Sequence, residues 1–123
     1  MQRGWLYQSH DAQVSVYVTN FWNIDPSLVG SFQAVLDIDA LASLHKKHHL
    51  KYVETLRSLM DKNSWILMKG LETFGLKTYE AGGAHCHSLL NMKELFNGFC
   101  VECLEKKKVG SKLYQNTFYL SLK

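Results

Sequence analysis

Apolar and polar residues alternate with a period of two through much of the first forty positions. In AQVSVYVTN (12–20), Val14, Val16 and Val18 fall on one side and Ser15, Tyr17 and Thr19 on the other, the pattern of a half-buried strand. WLY (5–7) predicts a short strand before it, and SHD (9–11) the polar turn of a hairpin. WNIDPSLVGS (22–31) reads as loop, opened by Asp25-Pro26 and closed by Gly30. SFQAVLDI (31–38) makes a third strand. The period then lengthens. Asp39 is placed to cap a helix from Ala40, and Leu41, Leu44, Leu50, Val53, Leu56 and Met60 carry helical spacing through 40–61. HKKHH (45–49) interrupts that stripe, so the segment predicts two helices or one with a wet middle.

SWILMKGL (64–71) and FGLKTYE (74–80) suit two more strands, with AGGA (81–84) a flexible connection. SLLNMKELFNGFCVECLEKKK (88–108) predicts the second long helix. Ser88 stands at its cap, Leu89, Met92, Phe96, Phe99 and Cys103 recur at three or four, and three lysines meet the negative end of its dipole. KLYQNTFYLSLK (112–123) predicts a last strand. Strands and helices do not alternate as βαβ units. The expectation is α+β, a mostly antiparallel sheet or distorted β-barrel framed by two long helices.

Length and composition narrow this further. The 123 residues suit a single globular domain over 1–123, and 46% apolar with 20% charged residues is ordinary for a folded chain. A net charge of +3 lacks the basic density of a dedicated nucleic-acid binder. No apolar run approaches the ~20 residues of a membrane span, and MQRGWLYQSH has no signal-peptide features. Three cysteines, two of them three apart, do not make a secreted disulfide framework. A reducing compartment, nuclear or cytoplasmic, is expected.

His85, His87, Cys100 and Cys103 are zinc ligand types. A helix over 88–100 would hold His87 roughly 19 Å from Cys100, whereas two ligands of one zinc lie within about 4.5 Å. The helix and the site exclude each other unless Gly98 breaks the helix, so no metal is expected. Cys86 lies between two histidines, but chain neighbours do not face one another. There is no G-x-S-x-G, H-E-x-x-H or phosphate-cradling glycine loop. Neither an enzyme nor a cofactor is expected. The remaining candidates are contact residues. Lys46, Lys47 and Lys51 form a basic cluster suited to phosphate or acidic side chains, and Phe21 and Trp22 carry an apolar pair into a loop.

The chain also resembles a known family. "LFNGFCVECLEKKKVGSKLYQNTFYLSLK" resembles the end of a SPOC domain, where an amphipathic helix closes in lysine and a turn leads to a strand with a Tyr-Leu pair, here Tyr119-Leu120. "GWLYQSHDAQVSVYV" is similar to that family's opening hairpin, and "LVGSFQAVLDI" resembles the strand before its first helix. The sequence departs from the pattern in reading Val109-Gly110 for Gly-Val and in lacking an arginine soon after Ile38. The resemblance implies a non-enzymatic protein–protein interaction module of a nuclear transcription or RNA regulator. Its partner would be a protein or peptide, acidic or phosphorylated, although the missing arginine counts against phosphate reading. The alternative expectation is a small single-stranded nucleic-acid-binding domain.

Overall fold

A computed structural model describes residues 4–73 and 87–123. The chain divides into two compact units, Met1–Gly30 and Ser31–Lys123. In the first, β1 (Gly4–Gln8) and β2 (Ser15–Thr19) pair antiparallel, Leu6 opposite Tyr17, the hairpin expected from sequence, but Val16 and Val18 are exposed and the strand is not half-buried. The turn between them is tied by Asp11, whose carboxylate accepts from Ser9 Oγ and the Gln13 amide. The predicted loop holds a 3-10 turn at Phe21–Asn23 and a short helix α1 (Pro26–Val29), with Asp25 accepting from the Ser27 amide at 2.9 Å as its N-cap.

The second unit holds β3 (Phe32–Ile38), α2 (Ala40–Ser43), a 3-10 turn (Lys46–His48), α3 (His49–Ser58), β4 (Met60–Thr73), α4 (Leu89–Leu95), β5 (Phe99–Gly110) and β6 (Leu113–Leu122). Its four strands run in the order β3-β4-β6-β5. β3 and β4 are parallel, Leu36 beside Leu67, while β6 is antiparallel to both β4 and β5. The class is α+β with a mixed sheet. It is not a closed barrel, and the sheet is not wholly antiparallel: α2 and α3 carry the chain from the end of β3 back to the start of β4, which makes that pair parallel.

Register sorts the strand residues into two faces. Asp37, Ser64, Ile66, Met68, Asn116, Phe118, Leu120 and Val101 share one face and are all buried. Buried residues of the helices, among them Leu41, Tyr52, Val53, Leu56 and Met92, complete this core.

The second long helix expected over 88–108 is corrected. Ser88 does cap a helix, through a capping box with Asn91, but α4 ends at Leu95 and Gly98 sits at φ 93°. Beyond it Phe99 and Val101 turn inward at strand spacing, and β6 pairs with 99–110 apart from irregularities at Leu104 and Val109. Those residues satisfy a helical stripe and a strand alternation together, and a partner strand decides between them. The expected strand 74–80 and connection 81–84 lie outside the described residues.

Candidate functional site

In open sheets with parallel strands, ligands bind outside the carboxyl ends of those strands, where the chain turns into loop and helix. Here that place is the end of β3 and the paired stretch of β4, Ile38 beside Lys69. The sequence builds it tightly. Asp37 is the last inward residue of β3 and only 3% exposed. Its carboxylate accepts from the Ala40 amide at 2.9 Å and from the Tyr52 hydroxyl, so one side chain caps α2 and ties α3 to β3. Burial, then the Asp37 carboxylate beside it, pushes the Tyr52 phenol well above its ordinary value.

Asp39 follows at φ 64° and ψ 7°, the left-handed region that Asp tolerates better than most residues but still at a cost. Its side chain makes no capping bond to α2, contrary to the expectation from sequence; Asp37 supplies the cap two residues earlier. The Asp39 amide donates to the Lys69 carbonyl at 3.3 Å and its own carbonyl accepts from Ser43 Oγ at 2.6 Å. An exposed carboxylate is thereby held at the end of a parallel strand on a strained backbone.

Behind it lies a recess lined by Leu41, Met68, Gly70, His87, Met92 and Phe118, about 10 Å³ in volume, the room of a single water. His87 enters through its amide, which donates to the Leu71 carbonyl at 2.9 Å, and its ring lies 4.9 Å from that of buried His49. His49 Nε2 meets the Leu44 carbonyl at 2.9 Å, a contact that requires the proton on Nε2.

The residues singled out from sequence lie elsewhere. Lys46 and Lys47 are exposed in the 3-10 turn before α3, and Lys51 is exposed on the helix itself. Phe21 and Trp22 are half-buried in the first unit, their rings edge to face at 5.8 Å. Gly98 does break the helix that stood against a metal site. Even so, Cys100 and Cys103 pair with Ser121 and Phe118, residues of opposite sheet faces. No group of three or more His, Cys, Asp or Glu suited to a metal occurs among the described residues, which exclude His85 and Cys86. Sequence reasoning passed over Tyr52, explained Asp39 as a helix cap and weighed His87 only as a zinc ligand. The available signal was Asp37-x-Asp39 at a strand end before a helix.

Solved structures share the fold over 85% of this chain. LepI in complex with SAM matches with a TM-score of 0.61 at 16% identity, over 29% of its own length. Magnesium protoporphyrin IX methyltransferase from Synechocystis PCC 6803 with bound SAH matches with a TM-score of 0.61 at 15% identity, over 49% of its length.

The fold is methyltransferase-like.

Horse thiopurine S-methyltransferase is 28% identical over 102 residues. The match takes in 82% of this chain, and the chain spans about two fifths of that relative's length, 41%. No family model matches.

These findings overturn the SPOC resemblance. Scattered apolar positions and the helix–turn–strand read into 95–123 carried it, and from Phe99 onward that helix is β5. With it goes the non-enzymatic interaction module of a nuclear transcription regulator, since the matched proteins include methyltransferases. The expectation that the chain is not an enzyme goes too. A protein or peptide partner, acidic or phosphorylated, has no support in these matches, LepI with SAM and a magnesium protoporphyrin IX methyltransferase with SAH. No described helix is long and apolar enough to cross a membrane.

Proposed function

We propose that this chain forms part of a methyltransferase that transfers the methyl group of S-adenosylmethionine to a small molecule. The carboxyl ends of β3 and β4 would form one wall of its site. The observation that carries the reading is the fold likeness to SAM- and SAH-bound structures over 85% of the chain. The 28% identity to a thiopurine methyltransferase supports the same chemistry.

S-adenosylmethionine is a cation at sulfur and carries ribose hydroxyls and an ammonium group. Asp39 suits those groups, since an exposed carboxylate accepts from hydroxyl and ammonium donors and favours positive charge. Asp37 does not, because both its oxygens are already engaged. The recess does not fit the cofactor either: 10 Å³ falls far below the roughly 300–1,000 Å³ of a small-molecule pocket. The described residues therefore offer a wall and not a complete cofactor site, and no step of methyl transfer can be assigned to them.

A wall alone predicts weak, localised binding. Titrating the 123-residue chain with S-adenosylmethionine or S-adenosylhomocysteine, followed by amide NMR, should shift Asp39, Ala40, Gly70 and Leu71. The dissociation constant should be about 1 mM, equivalent to about 4 kcal/mol. Asp39→Ala should abolish those shifts. Shifts elsewhere, or none at several millimolar, would reject the site.

A further inference from the structure

Asn116 is a misfit in β6. Asparagine is depleted from strands, yet this one shares its sheet face with Phe118 and Leu120 and is 1% exposed. Its Nδ2 donates to Glu72 Oε1 at 2.8 Å, and Lys106 Nζ lies 3.3 Å from the same oxygen. The carboxylate fixes which way the amide points, since a reversed amide would set oxygen against oxygen. Among the described residues nothing donates to Asn116 Oδ1, and a buried acceptor left without a donor is costly.

Directly across the ladder from Asn116 stands Gly70. A Cβ added there would meet nothing within 4 Å, so β4 has open space over it beside the unpartnered oxygen. Gly70 and Glu72 are half-buried and keep contact with solvent. The charges at this place are already matched, because Glu72 pairs with Lys106, and a further ion buried here would lack a counter-charge. A neutral donor fits instead. A water could supply one, but a buried water needs about two to four polar partners, and the flanking Met68 and Phe118 offer none from their side chains. A flat ring can lie directly over the bare backbone of Gly70.

We propose that Asn116 selects the molecule that receives the methyl group: a neutral, flat ring whose N–H or O–H donates to Oδ1 while the ring lies over Gly70. Glu72 is a positioning residue, holding the Asn116 amide so that its oxygen faces the ring, and Lys106 holds Glu72 in turn. The role as acceptor site rests on the methyltransferase reading, in which the carboxyl end of β4 is one wall of the site; the hydrogen bond itself does not.

Two pairs of probes test it by NMR on the full 123-residue chain, without cofactor. 2-Pyridone against N-methyl-2-pyridone reads a ring N–H, and phenol against anisole reads an O–H. Rings this small should bind with dissociation constants of about 10 mM. At least one donor should shift the side-chain amide signals of Asn116 while its methylated counterpart does not, and the donor that does so names the class. Gly70→Ala puts a Cβ into the open space. It should melt no more than about 2 °C below the parent, yet weaken the ring's binding at least about tenfold. Equal shifts from the methylated rings overturn the proposal, as does binding indifferent to Gly70→Ala. No shift at Asn116 from any probe also overturns it, leaving Oδ1 to water only. A donor-specific shift upholds the ring site even where the cofactor titration fails, and a cofactor response with no ring shift rejects this proposal alone.

Discussion

Asp37 carries more of the second unit than its place in a strand suggests. A carboxylate buried to this depth is tolerated only when donors surround it, and here the donors are the Ala40 amide and the Tyr52 hydroxyl. Tyr52→Phe removes one of them and should cost about 1–3 kcal/mol, read as a lower urea midpoint. The pH dependence follows from the raised phenol. Above the ordinary tyrosine value of 10.0 the unfolded chain releases its proton while the folded chain keeps it. Folded protein then binds more protons than unfolded, so wild-type stability falls as pH rises, by about 1.4 kcal/mol per unit. The Phe variant lacks that slope. The gap between the two midpoints should be constant below pH 10 and shrink above it; a gap that widens would contradict the assignment. Asp39 makes the opposite prediction. Glycine accepts its φ of 64° without the penalty, so Asp39→Gly should raise stability by about 0.5–1 kcal/mol while weakening S-adenosylmethionine binding.

At the level of elements, local signals were legible and pairing was not. The alternation at Val14, Val16 and Val18 marks β2, Ser88 marks the start of α4, and SFQAVLDI contains β3 to its end at Ile38. What failed were choices that depend on distant residues. Phe99 and Cys103 fit a helical stripe, and only the ladder with β6 makes them strand. The parallel pairing of β3 with β4 leaves no mark in either segment, so the class was legible and the topology was not. The candidate site was less legible still, because Tyr52 reaches Asp37 across fifteen positions and the strain at Asp39 is a backbone property. Asn97-Gly98 was the one clue to the corrected helix, and it can be tested. An added Cβ at Gly98 would adopt a left-handed φ and meet Arg57 Nη2 at 3.2 Å. That guanidinium also donates to the Asn97 carbonyl and lies 5.0 Å over the Phe99 ring. Gly98→Ala should therefore cost about 1–2 kcal/mol in a denaturant titration. Equal stability would mean that the turn between α4 and β5 relaxes freely.

For the whole molecule, the distribution of burial separates the two units. Every buried side chain among the described residues lies between Asp37 and Leu120, in the unit Ser31–Lys123. In the hairpin, Trp5, Leu6, Tyr7, Val16, Tyr17 and Val18 are all exposed, so neither of its faces supplies a core. A lone two-stranded hairpin is marginal in water, whereas a sheet with helices packed on one face can unfold as a unit. A polypeptide of residues 31–123 should therefore keep one cooperative urea transition. Its m-value should lie within about 15% of the full chain's, because m follows the surface exposed on unfolding and the first thirty residues add little. A peptide of residues 1–30 should show no cooperative transition in circular dichroism. Loss of the sharp transition on removing residues 1–30 would mean that the sheet's stability depends on the first unit, and the division of burial would no longer describe how this protein is held together.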